Sequence, residues 1–271
     1  MCRSMGWVSV ALALVASMLF SSVSAGVFVN SDMTQERVAT PGETYRGTIV
    51  LKNLADTPAE AKVYQTDYSF TADGSNEYGE PGRLPRSNAR WVSLSRELVT
   101  VPPKGTELLD YEVKVPAGTS LSGSYWSLIM VEPIAPDSGE SAAELPEGTA
   151  RIKQTLRYGI QVVTHLGSPG PAGLEFTNPQ VIKDDDQRLF AIDVKNTGQR
   201  LLRPTLSLDL YSASGNPIGK FQGIATRLFP GTSARFKIDL GKTPAGQYLG
   251  LVVADGTGDN LFGANVELEI E

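Results

Sequence analysis

Ile49-Val50-Leu51-Lys52-Asn53 opens a run of strand and turn signals that the chain later repeats. The first passage continues through Val63-Tyr64, Val101-Pro102-Pro103-Lys104-Gly105-Thr106 and Tyr111-Glu112-Val113-Lys114-Val115-Pro116-Ala117-Gly118 to the apolar stretch Tyr125-Trp126-Ser127-Leu128-Ile129-Met130-Val131. The second reads Ile192-Asp193-Val194-Lys195-Asn196, Leu210-Tyr211, Phe229-Pro230-Gly231-Thr232, Phe236-Lys237-Ile238-Asp239-Leu240, Pro244-Ala245-Gly246 and Tyr248-Leu249-Gly250-Leu251-Val252-Val253. The same signals in the same order imply two copies of one β-unit in tandem.

Working outward, nearly every periodic segment alternates with period two or is a short apolar run. Pro41-Gly42, Asp73-Gly74, Pro81-Gly82 and Gly215-Asn216-Pro217 punctuate them, and no stretch beyond the N-terminus carries a helical repeat. The expected class is all-β, two antiparallel sandwiches of about seven strands each. In the first, strands are expected at 27–30, 45–52, 61–70, 91–94, 98–101, 107–115, 125–131 and 152–164. In the second they are expected at 174–181, 189–195, 205–211, 218–222, 234–240, 248–254 and 265–270. The first sandwich takes residues 26–166 and contains a long acidic loop at 134–150. A Pro- and Gly-rich linker covers 167–173, and the second sandwich takes 174–271.

The first 25 residues read as a secretory signal peptide: Arg3, an apolar core from Val8 to Phe20, and small residues Val23 and Ala25 before Gly26. That core is shorter than the roughly 20 residues of a membrane span. The only cysteine, Cys2, leaves with the leader, so the exported chain relies on buried cores rather than disulfides and fits a periplasmic location best. The net charge of −6 becomes one unit more negative without Arg3, and no basic run offsets it. Nucleic acid and anionic lipid are disfavoured as partners.

Catalysis has little to build on. His165 is the only histidine, no Gly-x-Ser-x-Gly elbow occurs, and neither a metal nor a cofactor is expected. The acidic runs Asp184-Asp185-Asp186 and Asp255-Gly256-Thr257-Gly258-Asp259-Asn260 lack calcium-loop spacing and read as solvated turns. Trp91, Tyr125 and Trp126 offer a platform for stacking on a cell-wall glycan, or else core packing. The strongest constellation is the strand behind the acidic loop. Ile152, Leu156, Tyr158, Ile160 and Val162 alternate onto one face, while Lys153, Arg157 and Gln161 take the other. As an edge strand it would pair with a partner's strand and fill that partner's groove with its apolar side chains.

These segments together resemble the immunoglobulin-like domain of the periplasmic pilus chaperone superfamily. The likeness is carried by the leader, Ile49 to Asn53, Trp91-Val92, Val101 to Thr106, Val115-Pro116, a long loop and the alternating strand. The resemblance implies two immunoglobulin-like sandwiches and a non-enzymatic protein that lends a strand to an envelope or pilus subunit. It also implies a pair of basic cleft residues that hold a carboxylate. Arg37 or Arg46 is available as the first, and Lys153 or Arg157 as the second. The first domain is similar, too, to bacterial cell-surface domains that bind cell wall or matrix. The expected partner contacts are Ile152, Lys153, Leu156, Arg157, Tyr158, Ile160 and Val162; the alternative is an adhesion module acting through glycan.

Overall fold

The computed structural model describes residues 26–117, 121–134, 156–184, 187–256 and 260–270. The signal peptide, the acidic loop after Ile134, Ile152 and Lys153 lie outside the described residues. The first half contains β1 (Val27–Val29), β2 (Thr34–Ala39), β3 (Thr44–Asn53), β4 (Ala59–Phe70), β5 (Asn76–Gly79), β6 (Val92–Leu94), β7 (Leu98–Val101), β8 (Thr106–Lys114), β9 (Ser124–Ile134) and β10 (Tyr158–Leu166). The second contains β11 (Leu174–Asp184), β12 (Gln187–Asn196), β13 (Thr205–Ser212), β14 (Pro217–Gln222), β15 (Ser233–Asp239), β16 (Gly246–Asp255) and β17 (Leu261–Ile270). A 3₁₀ turn, Ala89–Trp91, precedes β6.

The molecule is all-β, and among the described residues no sheet mixes strands from the two halves. One sheet runs β1-β3-β8-β6 and faces a second ordered β2-β10-β9-β4-β5, with β7 also paired to β4. The other two sheets are β11-β12-β15 and β14-β13-β16-β17. Alternation puts Ile49 and Leu51 of β3 and Leu109 and Val113 of β8 inward, against Val63 of β4, Ile129 and Val131 of β9, and Ile160 and Val162 of β10; all are fully buried. In the second sandwich, Phe190, Ile192, Phe236 and Ile238 close on Leu206, Leu208, Val252 and Leu268. Each such side chain stabilises the fold by ~1.5–3 kcal/mol relative to exposure.

The opening segment divides between sheets. β1 pairs antiparallel with β3, and β2 crosses over to pair in parallel with β10. Sequence patterning missed β2 and β5 for one reason: of their ten residues only Ala39 is buried. Backbone pairing, not an apolar face, makes them strands.

Gly47 is fixed by packing. A Cβ on it would overlap the buried ring of Tyr111, whose hydroxyl donates to Gln35 Oε1 at 2.7 Å. Burial pushes that phenol well above its usual pKa. Gly47→Ala should therefore cost ~1–3 kcal/mol, the ordinary cost of overpacking. It should read as a lower urea midpoint at unchanged m-value; an unshifted midpoint would mean that the Tyr111 ring has room to move.

Candidate functional site

The site is built at the start of β10. This strand pairs antiparallel with β9 from Tyr158↔Val131 to His165↔Ser124, but its other side is covered only from Gln161↔Thr34 to Leu166↔Ala39. The Gln161 amide donates to Met33 O at 2.8 Å, so odd-numbered residues turn their backbone groups toward β2. By the same alternation, the N–H and C=O of Gly159 point to that side, two residues before the first β2 partner. No strand lies opposite them among the described residues. The open edge is thus Tyr158–Ile160, with Leu156 and Arg157 leading into it.

The structure corrects the expected use of the strand's apolar face. Ile160 and Val162 do lie on one face, but that face is the sandwich's own core, where both are fully buried, and Tyr158 packs partly against the same core. Inward residues of a two-layer fold are spent on the opposing sheet. Leu156 alone of the described apolar residues in the set is free, at 61 % exposure. Sequence leaves open whether this strand is an edge, and β2 closes it from Gln161 onward.

Arg157, Gly159 and Gln161 share the outer face. There they rim a cavity of about 310 Å³ with Tyr68, Tyr78, Leu128 and Met130. Tyr68 and Tyr78 stand 5.3 Å apart, centroid to centroid, with rings tilted by 35°. Burial, and then the neighbouring Tyr78, raises the pKa of the Tyr68 phenol. A hydrogen bond with Tyr64, and the negative Glu132 beyond it, hold the Arg157 proton more tightly than usual. Tyr64 in turn donates to Glu132 Oε2 at 3.0 Å.

The four basic candidates do not form a pair among the described residues. Arg46 lies on the other sheet, bonded to Glu112 through Nε at 3.0 Å. Arg37 is exposed on β2 opposite Thr164, Arg157 sits at the open edge, and Lys153 lies outside the described residues. Cations that reach the junction of β2 and β10 come instead from the second sandwich. Arg227 donates to Thr34 Oγ1 at 3.1 Å and lies 3.5 Å from Gln161 Oε1, while its buried Nε has no partner among the described residues. Nothing in the sequence around Arg227 signals this, because the contact spans the two halves of the chain. Nearby, Glu36 accepts from His165 Nε2 at 3.1 Å and pairs with Arg203. His165 is thereby tied between Glu36 and Ser124, whose hydroxyl lies 3.0 Å from Nδ1.

The aromatic candidates are occupied. Trp126 is 4 % exposed and stacks on Phe229 of the second sandwich, centroids 4.7 Å apart, in a small cluster with Val163. Trp91 and Tyr125 contact each other and the first core. Of the acidic runs, Asp184 pairs with Lys237 at 3.3 Å, while 185–186 and 257–259 lie outside the described residues. Among the described residues no helix is long and apolar enough to cross a membrane.

No protein family and no curated protein matches this sequence. Among solved structures, the chain is similar in fold to two-domain pilus chaperones. One, from a study of the chaperone–tip adhesin complex in CFA/I fimbriae biogenesis, is 10 % identical with a TM-score of 0.48, covering 90 % of this chain and 99 % of that one. Another is the CsuC–CsuE chaperone–tip subunit pre-assembly complex of Acinetobacter baumannii, at 12 % identity and a TM-score of 0.42, covering 78 % and 90 %. A third is the Escherichia coli chaperone DraB, at 12 % and 0.41, covering 89 % and 98 %.

Proposed function

We propose that this protein is a non-enzymatic, exported binding protein that captures an envelope or pilus-type subunit by accepting its strand along the open edge of β10. The supporting observation is the pair of Gly159 backbone groups directed at a position where no strand lies among the described residues, in a β10 paired on both sides from Gln161 onward. An incoming segment gains main-chain hydrogen bonds there, and exposed Leu156 extends the contact toward the residues before the strand. The sequence resemblance to pilus chaperones points the same way.

The test must spare the core. A charge at Ile160, which is fully buried, would unfold the sandwich. Gly159→Pro removes an outward donor, a change suited to an edge strand, and its ring adds atoms only on the outer face beside the flexible ends of Leu128 and Met130. Leu156→Asp alters a side chain already in solvent. Tagged protein recovered from the native envelope should co-purify with a β-rich subunit, and each variant should reduce that recovery at least tenfold at unchanged melting temperature. Equal recovery by both variants would remove the strand-addition reading, and a glycan as the only retained species would favour the adhesion alternative.

A further inference from the structure

The open edge and the outer-face cavity meet at one residue, Gly159. Arg157 and Gln161 flank it with side chains on the same face, so the missing side chain leaves a gap in the row. The floor of the gap is apolar: a Cβ built on Gly159 would lie 3.1 Å from Leu128 Cδ1 and 3.3 Å from Met130 Sδ. Both floor residues belong to β9 and stay nearly buried although they face away from the sandwich core. The tilted Tyr68–Tyr78 pair walls the gap, and Tyr68 stands 5.7 Å from Phe70 on its other side. Farther along, the same face is already covered, since Trp126 and Val163 pack beneath Phe229. The gap is therefore the uncovered continuation of an apolar face that the second sandwich partly buries.

Resting on the strand-addition reading, we infer that the gap over Gly159 is a socket for one large apolar side chain, best an aromatic one, carried by the added strand at the residue facing Gly159. A strand on the open edge sets that residue's Cβ about 4.5–5.5 Å from Gly159, on the same face. With no side chain across from it, the incoming group leans over the glycine onto Leu128 and Met130. Polarizable sulfur and two aromatic walls favour a ring over an aliphatic chain. The 310 Å³ cavity has room for one such group. Arg157 at one rim and Gln161 at the other disfavour a second bulky residue two positions away on the same face.

The full exported chain, titrated with synthetic nonapeptides of alternating Thr and Val, tests this. The central residue is Phe, Leu, Ala or Asp, and a matched set moves the Phe one position at a time. The wild type should bind the best-registered Phe peptide at least tenfold more tightly than its Ala counterpart, with Leu between and Asp weakest. Gly159→Leu fills the socket with flexible atoms against flexible neighbours and should shrink the Phe-to-Ala ratio to within twofold while the Ala peptide still binds. Tyr78→Ala removes an exposed wall without touching the core and should lower the ratio about threefold. Peptides that bind the wild type without regard to the varied residue would overturn the socket alone, as would a full preference retained in both variants. Failure of every peptide to bind would overturn strand addition, and the socket with it.

Discussion

Asp67→Ala should destabilise the first sandwich by ~3–5 kcal/mol, the combined cost of several stranded hydrogen-bond donors after partial rehydration. Asp67 is only 1 % exposed, at the point where β4 turns to pair with β5. No cation faces it. Its carboxylate instead accepts three consecutive amides, Gly82 at 2.9 Å and Arg83 and Leu84 at 2.7 Å each, and the Ser87 hydroxyl. Aligned backbone dipoles of this kind form an anion nest, here filled by the protein's own side chain. Removing it strands those donors at ~1–3 kcal/mol each, partly relieved by entering water. The loss should appear in urea unfolding, with faster hydrogen exchange at Gly82 to Leu84. Asp67→Asn keeps the shape but turns one acceptor into a donor facing a donor, and should fall between. A variant within 1 kcal/mol of wild type would mean that the 80–88 segment satisfies its own amides. The effect should reach β10. That segment leads into Asn88, whose Nδ2 donates to Val162 O at 3.1 Å and Thr164 Oγ1 at 3.0 Å on β10.

The Lys-Asn punctuation that marks the repeat in sequence has a common physical cause in both copies. Asn53 ends β3 and donates through Nδ2 to Thr57 O at 2.8 Å and Val101 O at 3.2 Å, while its Oδ1 accepts the Ala55 amide. Asn196 ends β12 and does the same with Arg200 O, Leu228 O and the Gly198 amide. An asparagine that satisfies backbone groups on two segments at once leaves a readable trace, as do alternating core strands. Asp67 left none, lying inside an expected strand where only the folded loop reveals its role. The same holds for the candidate site. The strand behind the acidic loop was legible as the place to look, but alternation alone does not say whose core an apolar face fills. Ile160 and Val162 went to the protein's own. Gly159, Tyr68 and Tyr78 become a site only through the register of three strands, and Arg227 only through contact between the two halves.

Phe229→Ala should uncouple the two sandwiches, so that one calorimetric transition becomes two. Among the described residues the contact between them has one apolar centre, in which Phe229 stacks on Trp126 and meets Phe70 edge-on with centroids 6.4 Å apart. Around it lie polar links: the Ser124 amide to Gln199 O at 2.8 Å, the Leu201 amide to Ser124 Oγ at 2.8 Å, and the Ala72 amide to Ser233 Oγ at 3.0 Å. The Glu36–Arg203 pair, with Arg203 48 % exposed, belongs to a class worth only ~0–1 kcal/mol. Truncating a buried Phe costs ~3–5 kcal/mol, more than such links can hold. Trp126→Ala should split the melt in the same way and also lose the Nε1 bond to Tyr68 O at 2.9 Å. Because both truncations break one stacked contact, the double variant should cost less than the two singles together, by ~0.5–3 kcal/mol. A single transition persisting in both variants would mean that the polar links alone carry the cooperativity. Strict additivity would mean that the two rings stabilise their own sandwiches and not the contact between them.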